Sequence, residues 1–225
     1  MTTEDAILLV QAGLAAAADT TKAGSMAAYM KTDMAFYGVQ KNGRTPVVRD
    51  VTSAFPPADR STYSQIVLAL WGLPHREEKY VAIAYARAFD EWVDASSLWL
   101  FRRLVVEGAW WDLVDETAVK LVGRALLKER QVSEAEIRPW ITDHDPWLRR
   151  TAVICQIGHK ADTDTHFLAD ACSENLDGTD FFIRKAIGWA LREYAKTDPR
   201  WVAEYVETHR DAMSALSIRE ATKHL

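Results

Sequence analysis

The sequence predicts an all-α fold built from repeated helix pairs, and three observations lead to it. Apolar residues recur at helical spacing along nearly the whole chain, as in residues 79–89 and 116–127. No segment combines a two-residue alternation with a hairpin turn, so strands are not expected. Similar segments recur at an interval in the mid-thirties, which is the length of one helix pair in a solenoid.

Prolines divide the helical pattern into short helices. A polar residue followed by proline predicts an N-cap and the first helical residue, since proline has no N–H to leave unpaired there. The paired prolines Pro56 and Pro57 close the run that ends at Phe55. Helix starts are therefore predicted at Thr45-Pro46, Asp145-Pro146 and Asp198-Pro199.

The repeat is visible in the C-terminal half. The segment WLRRTAV (147–153) aligns with FIRKAIG (182–188), 35 residues later, and a step of 36 back from Trp147 reaches Trp111. This period indicates a solenoid of the HEAT, armadillo or TPR kind, and the TPR consensus aromatic and glycine pattern is missing. The sequence thus predicts one α-solenoid domain of HEAT-like repeats over residues 1–225, with equivalent helices side by side on a concave face.

Composition indicates the class of the protein and the compartment in which it works. The chain has 225 residues, of which 48% are apolar and 26% are charged, which is typical of a globular domain. Its formal net charge of −5 does not exclude DNA binding, because a locally basic surface matters more than the total charge. No stretch reaches the roughly 20 apolar residues of a membrane span. Cys155 and Cys172 lie in apolar helical pattern and are expected to be buried free thiols of a reducing compartment. A cytoplasmic protein follows by elimination.

Four residues form a candidate site on the equivalent helices. With Trp111, Trp147 and Phe182 as position 0, Asp115 is at 4, Arg150 at 3 and Trp189 at 7, and these offsets share one helix face. A structural Asp115–Arg150 salt bridge between core tryptophans explains the pattern about as well as a site does. The tryptophans favour a site, because flat aromatic rings beside arginine grip sugars, bases and phosphates.

Five segments carry a resemblance to a known family. The sequence resembles the DNA alkylation repair (AlkD-like) HEAT-repeat DNA glycosylases in YMKTDMAFYGVQ (29–40), HREEKYVAIAYA (75–86), WWDLVD (110–115), PWLRRTAVICQ (146–156) and FFIRKAIGWALREYAKTDPRWV (181–202). The resemblance implies that Asp115 is the catalytic aspartate and that Trp111 and Trp189 flank the lesion. It also implies that Arg150 binds a phosphate and that Tyr29 lies near the lesion.

The resemblance also implies a reaction and a substrate. Such an enzyme hydrolyses the N-glycosidic bond of N7-alkylguanine and N3-alkyladenine in duplex DNA and leaves the lesion stacked. These bases are cationic and leave readily, so one carboxylate that stabilises an oxocarbenium-like sugar and places a water suffices. No lysine belongs to the constellation, so the enzyme is expected to be monofunctional. No metal and no cofactor is expected, and the protein is expected to act as a monomer.

Two other functions stay open beside this one. The chain could be a non-catalytic DNA-binding paralogue, against which the intact Asp115 argues, or a HEAT scaffold for a protein partner, which the acidic net charge would suit. A basic lining of the concave face would favour DNA. The residues expected to form that lining are Arg149, Arg150, Arg184, Lys185 and Arg192.

Several further signals favour structural roles. The cluster of His159, Asp162, Asp164 and His166 has metal-ligand side chains, but Asp and Thr before an apolar run are more typical of a helix cap. Glu77 and Glu78 are expected to be first-turn acids that complement a helix dipole. Six tryptophans are expected to pack between repeats: Trp71, Trp92, Trp99, Trp140, Trp147 and Trp201.

Overall fold

The computed structural model describes residues 2–225, and they form helices joined by short connections, with no β-strand among them. The all-α prediction is confirmed. Two compact units divide these residues, one ending at Trp92 and the other spanning Val93–Leu225. The single domain over residues 1–225 stays a prediction. None of the described helices is both long enough and apolar enough to cross a membrane.

The first unit contains five α-helices. They are α1 (Thr3–Ala16), α2 (Thr20–Met30), α3 (Lys41–Ala54), α4 (Arg60–Trp71) and α5 (Arg76–Ala88). Its core lies where α1, α3, α4 and α5 pack together, and α1 contributes Ala6, Val10 and Leu14, spaced four residues apart on one face.

The predicted helix start at Thr45-Pro46 is wrong. The helix α3 begins five residues earlier, at Lys41 after the N-cap Gln40, and Pro46 lies inside it. A proline so close to the N-terminus removes only the one backbone hydrogen bond that residue 46 would donate to Asn42. The end of the helix is as predicted, since Phe55 is the C-cap before the paired prolines.

Glu77 and Glu78 lie in the first turn of α5, as predicted, and both are fully buried. The Glu77 carboxylate accepts hydrogen bonds from the backbone N–H groups of Gly38 and Val39, each at 2.9 Å, and of Tyr37 at 3.1 Å. The Glu78 carboxylate accepts one from the Tyr37 hydroxyl at 3.0 Å. These acids therefore anchor the segment between α2 and α3, besides complementing the helix dipole.

The second unit contains nine α-helices. They are α6 (Leu98–Gly108), α7 (Trp111–Thr117), α8 (Gly123–Lys128), α9 (Arg130–Ile137), α10 (Pro146–Ile154), α11 (Thr165–Ser173), α12 (Phe181–Ala195), α13 (Pro199–Thr208) and α14 (Ala215–Ala221), with a π-helical turn at Ala118–Val122 joining α7 to α8. The helices α7, α10 and α12 start 35 residues apart. The predicted repeat is thus present in the helix starts.

The N-caps predicted in this unit are confirmed. Asp145 accepts a hydrogen bond from the backbone N–H of Trp147, and Asp198 from that of Trp201. Asp164 caps α11 through the N–H groups of two residues in its first turn. Both cysteines are buried and free, and burial raises the pKa of each thiol to about 12, so neither is a reactive thiolate at neutral pH.

The helices of the second unit pack in the order of the repeat. The helix α7 packs on α10, α10 on α12, and α12 on α14. The last contact is tight, because a Cβ atom added at Gly188 would lie 2.4 Å from the Glu220 Cβ and 2.9 Å from the Ser217 carbonyl oxygen. Only glycine at position 188 lets α14 approach α12 so closely.

Candidate active site

The 35-residue repeat places charged residues at equivalent positions. Asp115, Arg150 and Lys185 are each the fifth residue of their helix, in α7, α10 and α12. A further step of 35 reaches Glu220 in α14. Because helices equivalent in a repeat present equivalent positions to the same side, these four charges form a row across packed helices.

Asp115 and Arg150 make a bidentate salt bridge. The Arg150 Nε and Nη2 atoms donate to the two Asp115 carboxylate oxygens, each at 2.7 Å. Only 6% of the arginine side chain and 18% of the aspartate side chain are exposed. Arg150 Nη1 also donates to the backbone carbonyl of Phe182. One guanidinium therefore ties α7, α10 and α12 together.

Burial controls the titration of Asp115. Desolvation raises the pKa of this carboxyl above its ordinary value, whereas the hydrogen bonds and charge of Arg150 lower it. The nearby carboxylates of Asp112 and Glu116 add to the rise. A desolvated carboxylate with a raised pKa is a better proton acceptor than an exposed one, as a catalytic base requires.

Aromatic side chains surround the start of these helices. Trp110 packs with its ring centroid 5.9 Å from that of Trp147 and 5.2 Å from that of Phe182, and the last two rings are 5.1 Å apart. Trp111 and Trp189 are partly exposed. Ligand-contacting rings need this exposure, and core tryptophans such as Trp140, which is 3% exposed, lack it.

The comparisons with known proteins agree with this geometry. Residues 10–225 match the family described as "DNA alkylation repair enzyme". The chain belongs to this family. Its structure is also similar to that of a protein described as "Predicted DNA alkylation repair enzyme from Enterococcus faecalis", with a TM-score of 0.86 and 29% sequence identity over 92% of this chain and 96% of that chain. A comparison with curated proteins gives no match.

The structure places the other residues expected of a DNA alkylation repair enzyme as follows. Tyr29 lies on α2 in the first unit and is 71% exposed. Arg149 donates to the backbone carbonyls of Asp143 and His144, ahead of its own helix. Arg184 donates to the Gly178 carbonyl. These two arginines therefore stabilise the loops that lead into α10 and α12, and their contact with DNA stays a prediction.

Lys185 and Arg192 meet on a residue that the sequence analysis did not single out. Both bind the carboxylate of Glu220 on α14. Trp110 was likewise missed as a member of the aromatic cluster. The 35-residue step from Lys185 to Glu220 was the available signal for the first, whereas nothing in the spacing distinguished Trp110 from Trp111.

The tryptophans that were expected to pack between repeats mostly do so. Trp71 and Trp140 are buried, and Trp201 stacks on Tyr205 at 5.4 Å. Trp99 contradicts its prediction, because it lies on the solvent side of α6 and is 51% exposed.

The cluster at residues 159–166 does not come together as a metal site. Among the described residues, no group of three or more histidine, cysteine, aspartate or glutamate side chains could hold a metal ion. Asp164 is used as the cap of α11. His159 is buried beside Gly123, and desolvation lowers its pKa to about 4, so its ring is neutral at neutral pH.

Proposed function

We propose that this member of the DNA alkylation repair family is a monofunctional DNA glycosylase. Its substrates would be cationic alkylated purines in duplex DNA, N7-alkylguanine and N3-alkyladenine, and its reaction the hydrolysis of the N-glycosidic bond. The observation that carries the proposal is the carboxylate of Asp115, which is desolvated and fixed in place by hydrogen bonds from Arg150 Nε and Nη2. A fixed charge in a poorly solvated site stabilises opposite charge without reorganisation of its surroundings.

The chemistry needs one carboxylate because the leaving base is already cationic. The bond between the sugar C1′ and the base nitrogen breaks with its electron pair moving to the base, which departs neutral. The sugar develops oxocarbenium character, and the negative charge of Asp115 stabilises it. Water then attacks C1′, and its proton passes to the Asp115 carboxylate and on to solvent. Ordinary glycosidases use a second carboxyl as the acid for the leaving group, and a cationic base makes that acid unnecessary.

Arg150 would bind the Asp115 carboxylate and a DNA phosphate at the same time. A guanidinium has five N–H groups in a fixed fork, and Nε, Nη1 and Nη2 each use one in the contacts to Asp115 and Phe182. Two N–H groups then remain for a phosphate beside the lesion. Because arginine recognises phosphates through paired N–H groups, its bond to Asp115 and a phosphate contact are compatible.

Trp111 and Trp189 would hold the deoxyribose. Trp111 begins α7 four residues before Asp115, so both side chains share one face of that helix. Trp189 lies on α12, which packs against α10. Aromatic faces attract cationic groups, so their attraction to the sugar would grow as charge develops. An enzyme that contacts the deoxyribose from the DNA backbone side can leave the damaged base stacked. Tyr29 would lie near that base.

The proposal includes the partner and setting of the enzyme. It would bind alkylated double-stranded DNA on the concave face of one solenoid domain, as a monomer in the cytoplasm, without metal or cofactor. The two buried free thiols support a reducing compartment. Bound DNA would meet Arg149, Arg150, Arg184, Lys185 and Arg192.

One experiment tests the activity directly. The purified protein is incubated in excess with methylated duplex DNA, in the presence of a chelator, and the released bases are separated and identified. We expect 7-methylguanine or 3-methyladenine to be released, leaving abasic sites without strand cleavage. If the protein binds DNA but releases neither base, the non-catalytic paralogue is the better description. If it does not bind DNA, a scaffold for a protein partner is.

A further inference from the structure

Glu220 gathers three basic side chains around one buried carboxylate. Its Oε1 atom lies 2.7 Å from Lys223 Nζ and 3.2 Å from Lys185 Nζ, and its Oε2 atom accepts from Arg192 Nη1. Only 6% of the glutamate side chain is exposed, against 37% for Lys185 and 47% for Lys223. The acid is therefore at the base of the cluster and the cations are at its surface.

The cluster carries more positive than negative charge. Three cations and one carboxylate leave two positive charges at one place on the surface. The hydrogen bonds from Lys223 and Lys185 hold the pKa of Glu220 near 2, so the carboxylate is ionised at neutral pH and the balance does not change. Like charges this close repel, and an added anion would relieve that repulsion.

The cluster lies beside the candidate active site. Lys185 precedes Trp189 by four residues and Arg192 follows it by three, so all three side chains share one face of α12. Lys185 is also the repeat equivalent of Arg150, one helix further along. Gly188 allows α14 to pack closely on α12, which brings Glu220 and Lys223 to the same place.

We propose that Lys185, Arg192 and Lys223, held together by Glu220, form a second phosphate-binding site for the DNA duplex. The inference rests on the proposed DNA glycosylase function and deepens it, because it extends the DNA surface to Lys223, in the 3-10 turn that follows α14. The arrangement resembles that of Arg150, because in both places an acid from a neighbouring helix holds a cation: Asp115 holds Arg150, and Glu220 holds Lys185 and Arg192. Phosphate contacts of this kind fix the register of a protein on DNA without reading its sequence.

The test measures binding of an undamaged duplex, so that it does not depend on excision. The dissociation constant is determined over a series of salt concentrations for the wild type, for Lys223→Gln and for Lys223→Arg. Arg210→Gln is the matched control, because Arg210 pairs with Glu207 three residues away and is 54% exposed, much as Lys223 pairs with Glu220. Loss of one phosphate contact reduces the slope of log affinity against log salt by about 0.9.

We expect Lys223→Gln to lower the slope by about that amount and Lys223→Arg and Arg210→Gln to leave it unchanged. A wild-type slope in Lys223→Gln, with the wild type itself binding DNA, would overturn the second phosphate site and leave the proposed glycosylase intact. An equal loss in Arg210→Gln would also overturn it, since the effect would then be one of overall charge. Absence of DNA binding by the wild type would overturn both proposals.

Discussion

Replacing Asp115 by Asn removes the negative charge that the proposed mechanism needs and preserves the shape of the side chain. The structure shows that this change has a second consequence. Arg150 would keep one hydrogen bond, to the amide oxygen, and would face an amide NH2 group where it now meets a carboxylate oxygen. The substitution therefore affects both catalysis and stability, and the two effects must be separated.

The geometry gives the expected loss of excision rate and the expected loss of stability for Asp115→Asn. Removing one well-placed electrostatic group slows a reaction by about a hundredfold or more. Leaving a buried charge without its partner costs about 3–5 kcal/mol when the partner is lost entirely, and the one remaining hydrogen bond of Arg150 places the cost near the lower end. For a chain of this size, about 3 kcal/mol lowers Tm by about 6–12 °C.

A double-mutant cycle separates the effects. Arg150→Gln and the double variant Asp115→Asn/Arg150→Gln are prepared, and Tm and the single-turnover excision rate are measured for each at saturating protein. The double variant contains no unpaired buried charge, so we expect its Tm to recover toward that of the wild type. Its excision should still be about a hundredfold slower than that of Arg150→Gln alone, because the catalytic charge is missing.

The reasoning is refuted if Asp115→Asn costs no activity in the Arg150→Gln background. That result would mean that the carboxylate serves only to neutralise Arg150, and the salt bridge would be purely structural. A Tm that stays low in the double variant would refute the stability argument and leave the catalytic one standing.

Three further predictions concern other parts of the molecule. The excision rate should fall as the pH is lowered, because excision requires the ionised carboxylate of Asp115. Arg150 lowers the pKa of that carboxyl, so in Arg150→Gln the fall should occur at a higher pH. A pH profile that does not shift would contradict this. Trp189→Ala should slow excision by about 3- to 30-fold, the size of a lost cation–π contact, whereas Trp99→Ala, at an exposed ring on α6, should not change the rate. Glu77→Ala should lower Tm by about 6 °C or more in calorimetry, since three backbone N–H groups lose their acceptor. Each lost hydrogen bond costs about 1 kcal/mol or more. A Tm shift no larger than that of the exposed control Glu136→Ala would count against this prediction.

The helical fold could be predicted because its signals are local. The four-residue spacing of Ala6, Val10 and Leu14 already defines the buried face of α1, and Asp145 and Asp198 carry the acceptor and the proline that start a helix. Thr45-Pro46 carries the same signal and starts no helix. Whether proline begins a helix or lies in its first turns depends on packing that the dipeptide does not encode.

The sequence placed Asp115 and Arg150 on neighbouring helices, but it could not show the contacts that they make. A repeat gives residues such as Asp115 and Arg150 equivalent positions on neighbouring helices, so counting alone put them on one surface. Counting could not show that Trp110 packs against Trp147 and Phe182, because Trp110 is the extended N-cap residue before α7 and lies outside the helical periodicity. Nor could it show that Glu77 would be buried against backbone amides some 40 residues away in sequence.

The sequence by itself determined the helical fold, its interval of about 35 residues and the placement of Asp115 and Arg150 on neighbouring equivalent helices, because periodicity acts within a few residues or repeats at a fixed distance. The same interval leads from Lys185 to Glu220, a step that the sequence analysis did not take. Only the tertiary structure decided which of these charges meet. Asp115 pairs with Arg150, and Lys185 with Glu220, because α7 packs on α10 and α14 on α12. Side-chain pairing across helices depends on their separation and rotation, which packing sets.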